Sequence, residues 1–330
     1  VMKFGGTSVG DAACIANAAR LVHEAVEDRE QVVVVVSAMS GVTNALIDAA
    51  FAAARGEGDT WLAVRDRLLE KHRAAVLGVA ADIGRGIAIL EHIEQLLDGF
   101  VNLCQSIAVL GELTPRGLDV VTSFGERMVV GILAEALMKE GLAAEAIETT
   151  EILITDSNFG NASPLMDVTT QRTVAKLLPL LERGVTPVLT GFIGATCDGV
   201  ITTLGRGGSD YSAAIFARAL KADALWIWTD VDGVMTADPH VVPEARTLET
   251  ISYAEASELS YFGAKVLHPK TMRPAVEGGI PVRILNSFNP SHPGTLLTEE
   301  VYNGMTVKSI ASIDDLSIVT VAGRGMMGVP

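Results

Sequence analysis

The chain has 330 residues, of which 49% are apolar and 20% are charged. This composition is typical of a globular protein with a large buried core, and the length predicts about two domains. With 25 basic and 40 acidic residues, the formal net charge is −15. The charge excludes a protein built around a broad basic surface for nucleic acid or membranes. Anionic ligands must then be bound locally, by a few Lys and Arg side chains and by backbone amides.

The three cysteines, Cys14, Cys104 and Cys197, are odd in number and far apart. They give neither a disulfide framework nor a Cys-x-x-Cys metal motif, which favours a reducing, cytoplasmic location. The apolar stretches are shorter than the roughly 20 residues of a membrane span, and the sequence opens in a strand-like run rather than a signal peptide. We therefore expect a cytoplasmic protein with no membrane partner.

Strand and helix signals alternate at the beginning of the chain. Residues 1–4 are strand-like, a Gly-Gly turn follows, and an alanine-rich amphipathic helix is predicted over residues 11–27. The β-branched run at residues 32–36 is typical of a strand covered on both faces, and a second helix is predicted to begin near residues 43–44. This βαβ order indicates a largely parallel sheet with helices on both faces.

Strand signals vanish from about residue 60 to 140, where apolar residues recur at three- and four-residue spacing. This pattern predicts a helical subdomain with a break at Thr114 and Pro115. Strand-like runs return at residues 186–190, 224–228 and 280–285, and residues 156–164 are predicted to form an exposed loop. Residues 307–313 and 316–321 resemble two further strands, so a second domain is expected to begin near residue 301 and to be truncated.

Four glycine-rich or polar turns follow predicted strands or open predicted helices, and ligands of open α/β sheets bind at the carboxyl ends of strands. The first turn is KFGGTS at residues 3–8. Paired glycines let a backbone approach a phosphate closely, amides at a helix start favour anions, and Lys3 adds a positive charge. The chain contains no Walker motif. An ordinary strand-turn-helix corner is the alternative interpretation.

The second turn, GRGGSDYS at residues 205–212, precedes a predicted helix. Arg206 suits a carboxylate in bidentate fashion and Asp210 suits an ammonium group, so the turn is equipped to bind opposite charges at once. The simpler alternative is that Ser209 or Asp210 only caps the helix. A cap does not explain three glycines and an arginine.

Two later segments and one glutamate are weaker candidates. WTDVDGV at residues 228–234 offers carboxylates for a sugar or a hydrated Mg²⁺, or forms only an Asp-Gly turn. In YFGAKVLHP at residues 261–269, Lys265 is either a snorkelling lysine or a second phosphate contact, and His268 is interpreted as a packed or capping residue. Glu126 is placed by default at a solvated helix N-terminus that follows Ser123, with a carboxylate pointing into the site as the alternative.

Together these segments resemble the signatures of aspartate kinases. The matching motifs, in chain order, are KFGGTSVG, SAMSGVTN, FGER, GRGGSDYSAA, WTDVDGV with TADP, and SYFGAKVLHP, and the likeness extends to about residue 298. The resemblance implies an α/β fold, a three-layer αβα sandwich with a mostly parallel central sheet and an inserted helical subdomain at about residues 60–140. It implies a catalytic domain over residues 1–300 and the start of an ACT (α+β) regulatory domain over residues 301–330.

The resemblance also implies an activity, which is transfer of the γ-phosphate of ATP to the side-chain carboxylate of L-aspartate in lysine, threonine and methionine synthesis. Mg²⁺ is expected to be held mainly by ATP, lysine or threonine to act as a feedback effector, and the protein to form a homodimer or larger homo-oligomer. The catalytic positions implied are Lys3, Lys265 and Asp210. The substrate positions are Thr43, Glu126, Arg206, Ser209 and Asp210. The nucleotide positions are Lys3, Phe4, Gly5, Gly6, Thr7, Ser8, Thr229, Asp230, Met235, His240 and Lys265.

Two positions depart from the family pattern, because Met235 and His240 stand where relatives often carry Tyr and Arg; weaker ATP binding is the expected consequence. Two other functions stay open, namely a sibling kinase acting on another acid and a catalytically silent amino-acid or nucleotide sensor. A Rossmann dehydrogenase is a poor match, since no G-x-G-x-x-G follows the first strand. The sequence names neither the effector nor a following homoserine dehydrogenase domain.

Overall fold

The computed structural model describes residues 1–28, 31–239, 241–261, 269–299 and 307–311. His240, Lys265 and His268 lie outside the described residues, as does the expected ACT region apart from residues 307–311. Within the described ranges, no helix is both long and apolar enough to cross a membrane.

A mostly parallel eight-stranded sheet forms the middle layer of the fold. In spatial order its strands are β3 (Ala144–Ile147), β4 (Thr186–Thr190), β2 (Val34–Val36), β1 (Met2–Phe4), β7 (Leu225–Thr229), β9 (Val282–Asn286), β10 (Thr295–Thr298) and β8 (Thr250–Ser252). Among the described strands of this sheet, β9–β10 is the only antiparallel pair. A separate antiparallel hairpin is formed by β5 (Ile193–Ala195) and β6 (Ile201–Thr203).

Helices cover both faces of the sheet. The described helices are α1 (Ala12–Asp28), α2 (Val42–Ala54), α3 (Thr60–Val79), α4 (Ile83–Leu110), α5 (Pro115–Lys139), α6 (Met166–Glu182), α7 (Gly208–Leu220), α8 (Tyr253–Tyr261) and α9 (Pro269–Glu277). Short 3-10 turns occupy Thr7–Val9 and Thr149–Glu151. One core lies between the sheet and α1–α5, and a second lies between the sheet and α6–α9.

The alternation of side chains in β2 explains the two cores. Val34 and Val36 belong to the core under α1–α5, whereas Val35 belongs to the core on the opposite face. All three are buried, as expected for a strand covered on both faces. The predicted three-layer sandwich with a mostly parallel sheet is confirmed.

The helical stretch has the predicted break. Thr114 is the N-cap of α5, its hydroxyl accepts a hydrogen bond from the amide of Gly117 at 3.0 Å, and Pro115 takes the first helical position. Three helices, α3, α4 and α5, therefore occupy residues 60–139. The boundaries of the catalytic and ACT domains stay predictions.

The default interpretation of Glu126, as part of a solvated helix N-terminus, is wrong. Glu126 lies in the middle of the continuous helix α5, where it is buried rather than solvated. Ser123 does not start a helix, because its hydroxyl donates back to the carbonyl of Val120 at 2.7 Å. Gly125 gives α5 room to approach Ala38, since a Cβ there would come within 2.8 Å of the Ala38 Cβ. The packing of α5, and not the local sequence around Ser123, therefore decides the position of Glu126.

Several short strands were not predicted, namely β3, β5, β6, β8 and β10. The strand expected at residues 307–313 is absent from its described part, residues 307–311. That segment instead contacts the loop after β7, where Ile310 N donates to Thr236 O and Ser309 Oγ donates to Met235 O.

Replacing Phe100 by Ala should destabilise the protein by about 3–5 kcal/mol, because the side chain is fully buried and a cavity would remain. Its ring packs edge-to-face on Phe124, with the centroids 6.2 Å apart. Phe51→Ala is the matched control, since Phe51 is 43% exposed and its loss should cost less than about 1 kcal/mol. Urea unfolding of both variants measures the difference, and equal losses would contradict this description of the core.

Candidate functional site

The carboxyl ends of β1, β2, β4 and β7 lie side by side at one edge of the sheet. The turns that leave this edge are fixed to the neighbouring strands. Gly5 N donates to Trp228 O at 3.0 Å, and Gly191 N donates to Val36 O at 2.8 Å. Residues on these turns therefore have defined positions relative to one another.

A cavity of about 690 Å³ opens at this edge. Its wall is built from β1, the loop between β2 and α2, the middle of α5, the end of β6 and the turn before α7. The predicted site residues that line it are Lys3, Gly6, Thr43, Glu126, Arg206, Ser209 and Asp210. Every predicted substrate position thus lies in one cavity.

Lys3 and Asp210 form an ion pair in the wall of the cavity. Met2 and Phe4 point into the core under α1–α5, so Lys3, which lies between them, points to the face covered by α7. There its Nζ lies 2.6 Å from Asp210 Oδ1, and the two side chains are only 10% and 17% exposed. The pair joins the central strand to the first turn of α7.

The first turn of α7 is not capped as the alternative interpretation required. The N-cap of this helix is Gly207, at φ +71°, and no side chain caps it. Asp210 pairs with Lys3 instead, and Ser209 packs against Gly191, where a Cβ would come within 2.9 Å of the Ser209 Cβ. Both polar residues are therefore available to the cavity.

Glu126 is a buried carboxyl group with one partly unused oxygen. Its Oε1 accepts a hydrogen bond from the amide of Ala38 at 3.2 Å, and its Oε2 has no hydrogen-bond partner among the described residues. Burial raises the pKa of Glu126 to about 8, although the Ala38 amide and the charge of Lys3 act in the opposite direction. Glu126 is thus largely protonated at neutral pH, and it lines the cavity with one oxygen that no described residue contacts by a hydrogen bond.

The turn before α7 requires its glycines. Gly205 and Gly207 have φ values of +77° and +71°, and Gly208 N donates to Gly205 O at 2.9 Å. A Cβ on Gly208 would come within 2.5 Å of the ring of Phe192. Arg206 stands exposed at the tip of this turn, lines the cavity, and forms no ion pair with another described residue. Its guanidinium is available for an anion.

Of the predicted nucleotide positions within the described ranges, Lys3 and Gly6 line this cavity. Gly6 brings two turns together, because a Cβ there would lie 2.8 Å from the carbonyl oxygen of Ala38. Thr7 is exposed in the 3-10 turn that follows. Thr229 and Asp230 stand at the end of β7, which borders β1 on the side opposite β2.

The side chains of Phe4 and Ser8 do not line the cavity. The ring of Phe4 is fully buried and stacks on Trp228, with the centroids 6.1 Å apart. The hydroxyl of Ser8 lies 2.8 Å from that of Ser287 and is buried. These two positions could serve a ligand only through their backbone. Met235 lies in the loop after β7, apart from the cavity lining.

Asp119 is a site residue that the sequence analysis missed. It lines the cavity and is 1% exposed. Burial raises its pKa above the usual value, against the effect of hydrogen bonds from Thr203 and Gly160. Its position seven residues before Glu126, two turns away on one helix face, is the signal that could have revealed it. Among the described residues, no group of three or more His, Cys, Asp or Glu side chains could hold a metal ion.

An open α/β sheet with a charged cavity at its carboxyl edge defines the doubly wound α/β proteins that bind ligands at this edge. The sequence model of the amino acid kinase family matches residues 1–286 of the chain. The chain is 35% identical to lysine-sensitive aspartokinase 3 of Escherichia coli (strain K12), over 99% of this chain and 70% of that protein. The chain belongs to the amino acid kinase family.

Two further comparisons show how much of each relative the chain spans. It is 37% identical to bifunctional aspartokinase/homoserine dehydrogenase 2, chloroplastic, of Arabidopsis thaliana, and spans 36% of that protein. The crystal structure of E. coli aspartokinase III in complex with aspartate and ADP superposes with a TM-score of 0.83 at 36% identity. That alignment covers 92% of this chain and 65% of the other.

Replacing Glu126 by Gln should change how stability depends on pH. A carboxyl pKa that rises from 4.5 to about 8 on folding makes the folded state bind a proton more tightly, so stability is lost as pH rises through that interval. Gln carries no such proton, so the melting temperature of the variant should rise relative to wild type between about pH 5 and about pH 8.5. Calorimetry measures this difference, with the exposed Glu140→Gln as control. A difference that is constant with pH would contradict the buried, protonated state.

Proposed function

We propose that the full-length protein is an aspartate kinase, which transfers the γ-phosphate of ATP to the side-chain carboxylate of L-aspartate. The observation that carries this proposal is one cavity lined by Arg206, which forms no ion pair with another described residue, and by the carboxyl groups of Glu126 and Asp210, with Lys3 in its wall. Its relatives support the proposal, since one of the similar structures is an aspartokinase in complex with aspartate and ADP.

In the proposed complex the amino acid is held by its own charges. Arg206 binds the α-carboxylate, for which a planar guanidinium is well suited. Glu126 and Asp210 receive the α-ammonium group, and the hydroxyl groups of Thr43 and Ser209 complete the contacts. The side-chain carboxylate is then directed toward the β1 turn.

The transfer step needs positioning and charge neutralisation rather than a general base. The attacking carboxylate has an ordinary pKa near 3.9 and is ionised at neutral pH. Its oxygen bonds to the γ-phosphorus while the bond from that phosphorus to the β-phosphate oxygen breaks, which gives 4-phosphoaspartate and ADP. Lys3 and the amide of Gly6 neutralise the moving charge. Thr229, Asp230, Met235, His240 and Lys265 are proposed nucleotide positions.

Mg²⁺ belongs to the proposal as an ion carried by the triphosphate. The described residues contain no cluster of three or more His, Cys, Asp or Glu side chains that could hold a metal ion. When bound, the ion supplies additional positive charge at the phosphates. No protein side chain is assigned to it.

The remaining expectations concern the whole protein. A place in lysine, threonine and methionine synthesis, an ACT region with lysine or threonine as effector, and a homo-oligomeric state are proposals from the relatives. One similar structure is an aspartokinase in complex with lysine and aspartate. The cytoplasmic location stays a prediction, and relatives with chloroplastic names occur beside one from E. coli.

The activity is tested by trapping the acyl phosphate as a hydroxamate, with full-length protein, ATP and Mg²⁺. Aspartate, glutamate, N-acetylglutamate and UMP are compared as acceptors, with ADP release measured in parallel. We expect hydroxamate to form with aspartate and with none of the other three acceptors. Turnover only with another acceptor supports a sibling kinase, and binding of ATP and aspartate without turnover supports a sensor.

Lys3→Ala should lower kcat by about 10²–10³-fold, because it removes a charge that stabilises the transferred phosphoryl group. The measurement is kcat at saturating aspartate and ATP, with folding checked by circular dichroism. Lys3→Met, which preserves the length of the side chain, serves if the alanine variant is unstable. Lys176→Ala, on the exposed part of α6, is the matched control. Retention of more than about a tenth of wild-type kcat would exclude the proposed role.

Arg206→Ala should raise the KM for aspartate at least about tenfold, since two charge-assisted hydrogen bonds to the α-carboxylate are lost. The KM for ATP should change less than about twofold, because Arg206 stands on the amino-acid side of the cavity. Steady-state kinetics with each substrate varied in turn measures both. Arg183→Ala, at the C-terminal end of α6, is the matched control. Equal increases in both KM values would refute the assignment.

A further inference from the structure

Asp119 accepts three hydrogen bonds from two segments that are distant in sequence. Its Oδ2 accepts from the amides of Gly160 at 2.9 Å and Thr203 at 3.0 Å. Its Oδ1 accepts from the hydroxyl of Thr203 at 2.6 Å. One carboxylate on α5 therefore holds both the loop at residues 156–164 and the last residue of β6.

These two segments flank the turn that carries Arg206. Thr203 ends β6 two residues before Gly205, and its carbonyl accepts from the amide of Ala162 at 2.9 Å. On the other side, the carbonyl oxygen of Gly160 lies 2.9 Å from the position that a Cβ on Gly205 would occupy. The turn is thus in close contact with the loop that Asp119 fixes, and a displacement of either segment moves the turn.

We propose that Asp119 is a positioning residue that sets where the Arg206 guanidinium meets the α-carboxylate of the amino-acid substrate. Asp119 acts through Gly160 and Thr203, which donate the three hydrogen bonds that its carboxylate accepts. The proposal rests on the proposed function of the cavity. It deepens that function by assigning the orientation of Arg206 to a residue on a different element.

A second buried carboxylate on the same helix shows what a purely structural role looks like. Glu135 is fully buried on α5, accepts from the amide of Ala81 at 3.1 Å, and lies 3.1 Å from Arg85 Nε. Glu135 fixes the connection between α3 and α4 and does not line the cavity. Loss of Glu135 should therefore affect stability and leave the substrate KM values unchanged.

The experiment compares Asp119→Asn with Glu135→Gln in the full-length protein. Asp119→Asn should raise the KM for aspartate about tenfold or more, because a misplacement of about 1 Å at a binding group can cost on the order of 10²-fold. The KM for ATP should stay within about twofold of wild type, and Glu135→Gln should leave both KM values unchanged. Thr203→Val, which removes only the hydrogen bond to Oδ1, should raise the aspartate KM in the same direction by about threefold. Melting temperatures are measured for every variant.

The outcomes separate this proposal from the proposed function. An aspartate KM that does not change in Asp119→Asn, or aspartate and ATP KM values that rise together, overturns the positioning role while wild-type activity stands. If Asp119→Asn does not fold, the KM for aspartate is measured in Thr203→Val instead. An aspartate KM equal to that of the wild type in this variant overturns the positioning role. Absence of aspartate phosphorylation by the wild-type protein refutes the proposed function itself.

Discussion

The ion pair between Lys3 and Asp210 is the interaction on which the site depends. Lys3 lies in the middle of β1, between Val35 of β2 and Ile227 of β7, where an unpaired ammonium group would be costly to bury. Asp210 compensates that charge from the first turn of α7. A buried pair contributes little net stability once its desolvation is counted, so its main effect is geometric. It ties the central strand to the helix whose preceding turn carries Arg206.

Burial decides the protonation of Glu126 in the same cavity. It raises the pKa of this carboxyl group to about 8, against the smaller effect of the charge of Lys3, which is paired with Asp210. The cavity therefore presents one uncompensated cation, Arg206, in a chain with a net charge of −15. In the proposed complex, an arriving ammonium group favours the ionised form of Glu126, so binding of the amino acid is coupled to release of a proton.

The sequence predicted the features that depend on residues close to one another in the chain. An uninterrupted valine run is sufficient to indicate β2, and the glycines and arginine at residues 205–208 have no simpler explanation than a site. The strand β3 was missed because its four residues, AEAI, form a strand only through pairing with β4. Asp119 was missed for a related reason, since its partners Gly160 and Thr203 are 41 and 84 residues away. Glu126 was misplaced because local signals at Ser123 and Gly125 resemble a helix start, whereas the packing of α5 on Ala38 decides the outcome.

The order of the strands explains why a single turn is common to both proposed substrates. β2 and β7 border β1 on opposite sides, so the proposed amino-acid site in the cavity and the proposed nucleotide positions at Thr229 and Asp230 are separated by the turn that follows β1. A phosphoryl group that passes from one side to the other must cross at Gly5–Gly6. A side chain on Gly6 would collide, because its Cβ would lie 2.8 Å from the carbonyl oxygen of Ala38, whereas a Cβ on Gly5 would lie at an ordinary contact distance of 3.4 Å from the carbonyl oxygen of Trp228. Gly6 is therefore required by the close approach of the two turns, and its backbone amide and the charge of Lys3 lie near the same crossing point.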